Sequence, residues 1–286
     1  MTKDKNFHPT RTIDAHGILL DLSTTQVMGI LNVTTDSFYD GGKHINPVKA
    51  LEKVAQFIKE GASIIDIGAY SSRPGAKHIS QDEEWNRLKE ILPIVNKEFP
   101  ETAISVDTFR ADIAQKAIEN GAHIINDISA GEMDEKMFDT IAELQVPYIM
   151  MHMQGTPQNM QNNPQYSCIE KEVFNYFKSK VKQLQNKGVK DIIIDPGFGF
   201  GKTLEHNYQL LNNLEVLHDL NLPVLAGVSR KSMIYKLLEN SPQDALNGTS
   251  VIHAICLQKG ASILRVHDVK EAVECVKIIN FAQNHQ

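Results

Sequence analysis

Residues 195–202 place an acid, a glycine-rich loop, two aromatic rings and a base within one short segment. They read Asp-Pro-Gly-Phe-Gly-Phe-Gly-Lys and come directly after the apolar run 191–194. Asp195, at the end of a buried strand, offers hydrogen-bond acceptors, and the phenylalanines offer a flat apolar wall beside the cation of Lys202. This combination suits the binding of a flat heterocycle that carries polar groups on its edge.

A phosphate-binding P-loop is an alternative for the same segment. That motif needs GxxxxGK followed by Ser or Thr at the start of a helix. The spacing from Gly197 to Gly201 is one residue short of the motif, although Lys202 and Thr203 match its end. We therefore expect no P-loop, and we interpret Lys202 as a solvated loop lysine outside the site.

The bulk composition limits the classes of function. Of 286 residues, 42% are hydrophobic and 22% charged, which predicts a globular core. The net charge of −6 argues against a nucleic-acid partner, because such binding depends on neutralising phosphates. Cys168, Cys256 and Cys275 are far apart, which favours a reducing cytoplasm and gives no disulfide framework or zinc site. No signal peptide or apolar stretch of about 20 residues is present, so we expect no membrane association.

Short apolar runs alternate with amphipathic segments along the chain. The runs that predict strands are 27–33, 63–67, 103–106, 123–126, 147–151, 191–194, 223–226 and 262–266. The segments that predict helices are 47–60, 81–98, 110–120, 134–144, 166–187, 205–219, 231–259 and 268–283. Eight alternating units favour a single α/β domain, a (β/α)8 TIM barrel, over a doubly wound sheet. We expect residues 1–25 to form an N-terminal hairpin closing the barrel bottom, and residues 26–286 to form the barrel.

Polar or functional side chains follow every predicted strand. They are Asn32; Ser71, Ser72 and Arg73; Asp107; Asn126 and Asp127; Met151 and His152; Asp195; Ser229, Arg230 and Lys231; and Arg265, His267 and Asp268. In a TIM barrel the carboxyl ends of the strands meet at one face, which carries the active site. The sequence therefore predicts an active site at that face.

Eight motifs, one at each predicted strand end, resemble those of the dihydropteroate synthases of folate biosynthesis. They are MGILNVTTDSFYDGG (28–42), SSRPGA (71–76), SVDT (105–108), NDI (126–128), MHMQG (151–155), DPGFGFGK (195–202), SRKS (229–232) and RVHDV (265–269). The resemblance covers residues 26–283 and implies a pterin-binding TIM barrel that is usually a homodimer. It also implies a Mg2+-dependent transferase that joins 6-hydroxymethyl-7,8-dihydropterin diphosphate to 4-aminobenzoate, giving 7,8-dihydropteroate and pyrophosphate. Sulfonamides inhibit enzymes of this family.

The resemblance assigns the pterin to a set of polar and flat side chains. These are Asp107, Asn126, Met151, Asp195, Phe200 and Lys231. Carboxylates and an amide match the donor-rich edge of a pterin and would lose their partners with a wrong ring. Met151 and Phe200 are expected to sandwich the ring. Asp107 and Asn126 could alternatively serve only as N-caps of the helices that follow them.

The resemblance assigns the diphosphate to Asn32, Arg73, Arg265 and His267, with Asn32 as the Mg2+ ligand. Magnesium binds few protein oxygens and keeps several waters, and arginine pairs with phosphate through two hydrogen bonds. Arg265 and His267 are two positions apart, so on a strand both side chains point to one side. The alternative for this pair is a surface ion-pair cluster with Asp268.

The resemblance assigns the aminobenzoate pocket to two glycine-flanked loops and the end of the seventh strand. Its residues are Thr34, Phe38, Ser72, Arg73, Pro74, Ser229 and Lys231. Both loops could close over the second substrate, and a helix beginning near residue 231 would favour its carboxylate. The implied catalytic residues are Asp107, Asp195, Lys231, Arg265 and His267.

The chain departs from the family pattern in these loops. Thr35 stands where many relatives carry proline, and residues 69–72 read Ala-Tyr-Ser-Ser instead of the common Gly-Glu-Ser-Thr. Tyr70 thus replaces an acid, and Ser72 keeps a hydroxyl without a methyl group. We expect these changes to affect inhibitor sensitivity and loop contacts rather than the class of reaction.

Three other functions are compatible with a similar barrel. A methyltetrahydrofolate-dependent methyltransferase would pass a methyl group to a corrinoid protein, but the RVHDV and SRKS motifs favour the synthase. A non-catalytic pterin-binding paralogue would lack Asn32, Arg73, Lys231 or His267, and all four are present. An aldolase needs a Schiff-base lysine inside a strand, and no predicted strand contains lysine.

Overall fold

The computed structural model describes residues 12–33, 39–40, 44–71 and 78–285. The strands within these ranges are β1 Thr12–Ala15, β2 Ile18–Asp21, β3 Gln26–Asn32, β4 Tyr39–Asp40, β5 His44–Ile45, β6 Ile64–Gly68, β7 Ala103–Asp107, β8 Ile124–Asp127, β9 Tyr148–Met151, β10 Ile192–Asp195, β11 Leu225–Ala226 and β12 Ile263–Val266. The α-helices are α1 Pro47–Glu60, α2 Gln81–Glu98, α3 Ala111–Glu119, α4 Met137–Leu144, α5 Ile169–Asn186, α6 Leu204–Asn212, α7 Ser232–Tyr235, α8 Leu246–Gln258 and α9 Val269–Gln283. None of the described helices is both long and apolar enough to cross a membrane.

Eight of the described strands form a closed parallel barrel. Their order in space is β10, β9, β8, β7, β6, β3, β12 and β11. A parallel bridge between Ile194 and Val224 joins the two ends of this order, and the Ile194 N–H donates to the Pro223 carbonyl at 3.0 Å. Helices alternate with the strands along the chain, so the predicted (β/α)8 barrel is confirmed.

The N-terminal hairpin covers the end of the barrel where the strands begin. β1 and β2 pair in antiparallel register, and the N–H of Gly17, which has a φ of +98°, donates to Asp14 Oδ1 at 2.7 Å in the turn. Its apolar side chains form one cluster with the first inward-pointing residues of the barrel strands: Ile13, Ala15, Leu20 and Leu22 with Met28, Ile64, Ala103, Ile124, Ile149, Ile193, Leu225 and Ile263. This layer closes the bottom of the barrel, which confirms the predicted hairpin. The boundary at residue 25 stays a prediction.

Side chains alternate between the inside and the outside of each barrel strand. Two positions after the apolar bottom layer, the inward positions of seven strands carry Asp66, Ser105, Asn126, Met151, Asp195, Gly227 and Arg265. The intervening residues point outward and pack against the helices in the main core, as Ile65 and Leu264 do. The register of the barrel thus places a mainly polar layer directly above an apolar one.

Helix α1 shows how local sequence determines the outer layer. Asn46 caps its start by accepting hydrogen bonds from the N–H groups of Val48 and Lys49 at 3.1 and 3.2 Å. Val54 and Phe57, spaced for one helix face, are buried in the main core. Gly61, with a φ of +104°, ends the helix in the left-handed conformation that glycine tolerates.

Two predicted helices are wrong in part. The segment 231–259 forms α7 and α8 with an irregular connection between them, because Pro242 disfavours helical backbone before it and Glu239 has a φ of +54°. The segment 205–219 forms α6 followed by a 3-10 helix, Leu214–Leu220. Between them the side chain of Asn213 donates to the Gln209 carbonyl at 2.9 Å, which competes with a continuing helix.

Candidate active site

The centre of the polar layer is a network of ion pairs and a hydrogen bond formed by four strands. Arg265 on β12 donates from Nε to Asp66 Oδ2 at 2.6 Å and from Nη2 to Asp107 Oδ2 at 2.8 Å. Asn126 Nδ2 donates to the same Asp66 oxygen at 3.2 Å. The strand register brings these four residues together, and one guanidinium is therefore shared by two carboxylates inside the barrel.

Burial and charge act against each other in this network. Burial raises the pKa of Asp107; the charge of Arg265 opposes this rise and the nearby Asp66 adds to it. Burial also disfavours the charged form of Arg265, but Asp66 and Asp107 outweigh it and raise the pKa of the guanidinium above its usual value. Arg265 therefore stays charged, and it is the cation that allows two acids to lie side by side.

Asn32, at the end of β3, lies next to this network. A Cβ placed on Gly68 would be 3.6 Å from Asn32 Oδ1 and 3.8 Å from Asp107 Oδ2, so both oxygens border the same small space. Glycine at this position leaves that space open. Within the described ranges, no group of three or more His, Cys, Asp or Glu residues is arranged to hold a metal ion.

A second polar cluster joins the ends of the sixth and seventh barrel strands. Asp195 is buried at the end of β10, and its Oδ1 accepts a hydrogen bond from the Gly197 N–H at 2.7 Å. Lys231 Nζ donates to the Phe198 carbonyl at 2.6 Å and lies 4.5 Å from the centroid of the Phe200 ring. Gly227 borders both charged groups, since a Cβ there would be 3.6 Å from Asp195 Oδ2 and 3.7 Å from Lys231 Nζ.

The pKa values of the acid and the amine in this second cluster shift in opposite directions. Burial raises the pKa of Asp195, and the positive charge of Lys231 is the strongest opposing influence. Burial lowers the pKa of Lys231 to about 8, with Asp195 opposing the decrease. Both shifts arise because charge is unfavourable away from water. The two groups are therefore poorly solvated and available to hydrogen-bond a polar substrate.

The predicted flat wall is formed by only one of the two phenylalanines. Phe200 is half-buried and packs against an apolar cluster that includes Met151, Tyr70 and Phe109. The side chain of Phe198, in contrast, is fully buried in the main core. Phe198 therefore contributes its carbonyl to Lys231 and not its ring to the site.

Lys202 is not a solvated loop residue, and that interpretation is wrong. Its side chain is buried, and Nζ lies 3.0 Å from His152 Nδ1, 2.9 Å from the Gly197 carbonyl and 3.0 Å from the Phe200 carbonyl. Burial lowers the pKa of Lys202 to about 7 against the opposing charge of Asp195. Thr203, the next residue, caps α6 through a reciprocal hydrogen-bond pair with His206.

The glycines of the loop allow close approach to the neighbouring loop after β9. Gly197, Gly199 and Gly201 all have positive φ values. A Cβ on Gly197 would lie 2.0 Å from the carbonyl oxygen of His152, and a Cβ on Gly201 would lie 2.5 Å from that of Gln154. Because backbone atoms cannot move aside easily, only glycine fits at these two positions.

Gly197→Ala should therefore lower the free energy of unfolding by at least about 3 kcal/mol, since it combines backbone strain with a clash against main chain. Gly188→Ala is the matched control: its φ is +85°, but no atom lies within 4 Å of its Cβ position. Strain alone should cost about 1–2 kcal/mol there. Urea unfolding of both variants measures the difference, and equal losses would show that the close approach to His152 is unimportant.

The other predicted residues at the seventh and eighth strand ends are connected to each other. Ser229 Oγ accepts a hydrogen bond from the His267 N–H at 3.2 Å and lies 3.1 Å from His267 Nδ1. Asp268 pairs with Arg230 at 2.8 and 2.9 Å. The alternative ion-pair cluster of Arg265 and His267 with Asp268 is therefore wrong for Arg265, which reaches inward to Asp66 and Asp107.

Several predicted site residues lie outside the described residues. They are Thr34, Phe38, Ser72, Arg73 and Pro74, together with Thr35. Of the departures from the family pattern, Tyr70 is described: its hydroxyl lies 3.1 Å from His78 Nδ1 and accepts a hydrogen bond from Gln158 Nε2 at 3.0 Å. Arg110 lies over the rings of Phe109 and Tyr70, at 4.7 and 5.7 Å from their centroids. Tyr70 thus connects the loops that follow β6, β7 and β9.

Sequence reasoning missed Asp66, in the polar layer, and the buried Lys202, in the loop after β10. A signal for Asp66 was present, because an acid in the apolar run 63–67 occupies the inward phase of the strand, two positions before Gly68. No comparable signal existed for Lys202. Its burial depends on the loop after β9, which is distant in sequence.

Acids, an amide and amines gather at the carboxyl ends of the barrel strands, where the enzymes of the (β/α)8 class carry their active sites. Residues 28–267 match the family described as pterin binding enzyme. The chain belongs to this pterin-binding family and, within it, to the dihydropteroate synthases. It is 43% identical over 267 residues to the dihydropteroate synthase of Escherichia coli K12, covering 93% of this chain and 94% of that protein.

Solved structures give the same result. The dihydropteroate synthase of Yersinia pestis in a sulfonamide drug complex aligns with a TM-score of 0.90 and 41% identity, covering 96% of this chain and 99% of that one. The dihydropteroate synthase of Xanthomonas albilineans with 4-aminobenzoic acid aligns with a TM-score of 0.89 and 36% identity, covering 96% and 98%. The similarity therefore extends over essentially the whole barrel.

Proposed function

We propose that this chain is a dihydropteroate synthase of folate biosynthesis. It condenses 6-hydroxymethyl-7,8-dihydropterin diphosphate with 4-aminobenzoate to give 7,8-dihydropteroate and pyrophosphate. The observation that carries the proposal is the set of polar groups at the carboxyl ends of the barrel strands. Asp107, Asn126 and Asp195 end three strands, Lys231 follows β11, and Arg265 on β12 donates to Asp107. Membership of the dihydropteroate synthase family supports the same reaction.

The pterin binds through its polar edge in this proposal. The ring amine and ring N–H groups donate to the carboxylates of Asp107 and Asp195 and to the amide oxygen of Asn126, while Lys231 donates to the ring carbonyl and nitrogen. Met151 and Phe200, which belong to one apolar cluster, contact the faces of the ring. A ring without these donors would leave buried carboxylates unpaired, which is the basis of selectivity.

The reaction replaces a C–O bond by a C–N bond at the methylene carbon of the pterin. Diphosphate leaves with the electron pair of the C–O bond, and the neutral amine of 4-aminobenzoate bonds to the carbon and then loses a proton. Arg265 and His267, with Arg73, stabilise the charge that grows on the leaving group. Asp107 and Asp195 stabilise the positive charge on the dihydropterin. Ser229 and Lys231, with the loop residues Thr34, Phe38, Ser72 and Pro74, orient the benzoate.

We further propose Mg2+ as the cofactor, bound by Asn32 and the diphosphate. The donor set fits such an ion: Asn32 offers a single amide oxygen beside the carboxylate of Asp107, and Mg2+ combines few protein oxygens with phosphates and waters. When bound, the ion neutralises charge on the leaving diphosphate.

Pyrophosphate release tests the proposed function. The protein is incubated with dihydropterin diphosphate, with 4-aminobenzoate, or with both, in the presence and absence of Mg2+. Release that needs both substrates and Mg2+ is the expected result. Pterin binding without pyrophosphate release would instead indicate a non-catalytic paralogue. If such a protein also demethylates methyltetrahydrofolate in the presence of a corrinoid protein, it is the related methyltransferase.

Sulfonamides should compete with 4-aminobenzoate in this proposal. The Yersinia pestis relative has been solved with a sulfonamide drug complex, and Ser229 and Lys231 provide the donors for a negatively charged group opposite the amine. The cellular location we propose is the cytoplasm, which agrees with the three free cysteines Cys168, Cys256 and Cys275.

We propose that the protein is a homodimer that buries an apolar surface of α8, α9 and the segment after α7. Five large apolar side chains are exposed there: Leu237, Leu238, Val251, Ile278 and Phe281. Phe281 and Ile278 are 68% and 67% exposed on adjacent turns of α9, and α9 packs directly against α8. Large apolar side chains exposed on neighbouring helices are typical of a subunit interface.

The double variant Ile278→Glu, Phe281→Glu should be monomeric, because a twofold dimer would bury two added carboxylates from each subunit in one apolar interface. Leu19→Glu is the control, since Leu19 is 71% exposed on the N-terminal hairpin and is not part of α8 or α9. Sedimentation equilibrium compares the masses. A dimeric double variant, or a monomeric wild type, would contradict the proposed interface.

A further inference from the structure

The loop between Asp195 and Lys202 is held almost entirely by side chains. Each of its five carbonyl groups from 197 to 201 accepts a hydrogen bond from a side chain. The donors are Lys202 Nζ for Gly197 and Phe200 at 2.9 and 3.0 Å, Lys231 Nζ for Phe198 at 2.6 Å, Gln161 Nε2 for Gly199 at 2.8 Å, and the Tyr166 hydroxyl for Gly201 at 2.8 Å. Lys202 is the one donor of the set that serves two of these carbonyls.

Lys202 also joins this loop to the one after β9. Its Nζ lies 3.0 Å from Nδ1 and 3.3 Å from the carbonyl oxygen of His152. The imidazole is itself fixed, because its ring packs edge-on against Tyr176 at 4.9 Å. Burial lowers the pKa of His152 to about 2, so the ring is neutral and its Nδ1 is an acceptor for the amine.

A buried amine is costly unless its hydrogen bonds are made. The three N–H groups of a charged Lys202 have four acceptor atoms within 3.3 Å. The carboxylate of Asp195 supplies the compensating charge. An apolar residue of the same length would fill the same volume but leave the Phe200 carbonyl and His152 without the amine donor, while the Gly197 carbonyl would keep only the Phe200 N–H. The position therefore requires an amine for the conformation of the loop.

The two loop residues that Lys202 binds are connected directly to the proposed pterin site. Lys202 donates to the carbonyl of Phe200, whose ring lies beside Lys231 Nζ. It also donates to the carbonyl of Gly197, whose N–H donates to Asp195 Oδ1. The side chain thus fixes one flat contact and one carboxylate of the site without reaching the substrate position.

We propose that Lys202 is a positioning residue for the pterin: its Nζ holds the 197–201 loop so that Phe200 and Asp195 face the ring. This inference rests on the proposed function. It also explains why a base follows three glycines there, since the glycines permit the loop to approach His152 and the amine bonds the carbonyls that this approach turns inward.

Lys202→Met tests the inference, with Lys190→Met as the control because Lys190 is exposed. Pterin affinity is measured by titration with a free pterin followed by its fluorescence, and KM is measured for both substrates. We expect Lys202→Met to weaken pterin binding about 10- to 100-fold, as two or three unpaired acceptors imply, and to change the KM for 4-aminobenzoate less than about 3-fold. Lys190→Met should match the wild type.

A double-mutant cycle distinguishes positioning from a general loss of stability. If Lys202 acts through Phe200, Lys202→Met should weaken pterin binding much less in a Phe200→Leu background than in the wild type. Additive effects, or equal losses for both substrates, would overturn the inference. Lys202→Gln, which keeps two N–H donors, replaces Lys202→Met in all measurements if the methionine variant does not fold. A wild type that binds no pterin would instead refute the proposed function.

Discussion

Arg265→Ala should reduce kcat/KM about 100- to 1,000-fold and destabilise the fold by about 3–5 kcal/mol. The loss of activity follows from removing a positioned cation from the leaving group. The loss of stability follows from leaving the buried Asp66 and the adjacent, largely buried Asp107 without the guanidinium that each of them contacts. Because one side chain serves both purposes, this substitution has the largest expected combined effect.

The two effects can be separated by a second substitution. In the Arg265→Ala, Asp66→Asn double variant, one of the two uncompensated carboxylates is removed, and Asn126 keeps an amide oxygen as its hydrogen-bond acceptor. Unfolding experiments should therefore show part of the lost stability restored, while pyrophosphate release stays at the level of Arg265→Ala. If the double variant is no more stable than the single one, carboxylate repulsion is not the cause of the instability.

Lys231→Met should reduce kcat/KM by a similar factor, about 100- to 1,000-fold, with little change in the free energy of unfolding. Lys231 donates to a single carbonyl, that of Phe198, and lies at the open end of the barrel. Its loss removes a cation from both the pterin and the benzoate positions of the proposed site. Lys236→Met is the matched control, since Lys236 is exposed a few residues further along the chain.

The pH dependence of the wild type gives an independent measure of the same residue. The pKa of Lys231 is lowered to about 8, so the amine loses its charge as the pH rises through 8. We expect kcat/KM to fall on the alkaline side with a midpoint near that value. In Lys231→Arg the guanidinium stays charged, and the alkaline decrease should move to higher pH. A midpoint near 8 in both proteins would assign the titration to another group.

Much of the fold could be predicted because its signals are local. Strand and helix periodicity indicated all eight units of the barrel, and the bounds of α1 and α2 agree with the predicted 47–60 and 81–98. The single helix predicted for 231–259 is wrong because the prediction gave more weight to the hydrophobic content of the segment than to Pro242, which interrupts helices. In the structure, Arg230 donates to the carbonyls of Pro242 and Gln243 at 2.9 and 2.6 Å, which stabilises the irregular connection.

The candidate site was predictable to the extent that strand ends are predictable. In a parallel barrel all carboxyl ends share one face, so Asp107, Asn126, Asp195 and Arg265 could be grouped before any contact was known. Which of them touch depends on register and on side-chain length. The structure alone decides that Arg265 on β12 reaches past β3 to Asp66 on β6 and Asp107 on β7 instead of pairing with Asp268.

The class of barrel, the face that carries the site and the chemical types gathered there could all be derived from the sequence, because they follow from period-two and helical patterns within each unit. Which polar groups are buried together depends instead on how distant segments pack in the folded chain. Lys202 shows the reason: its charge predicted a solvated residue, yet its acceptors lie on two loops separated by nearly fifty residues. Burial of a charge depends on partners brought from elsewhere in the chain, which local sequence does not encode.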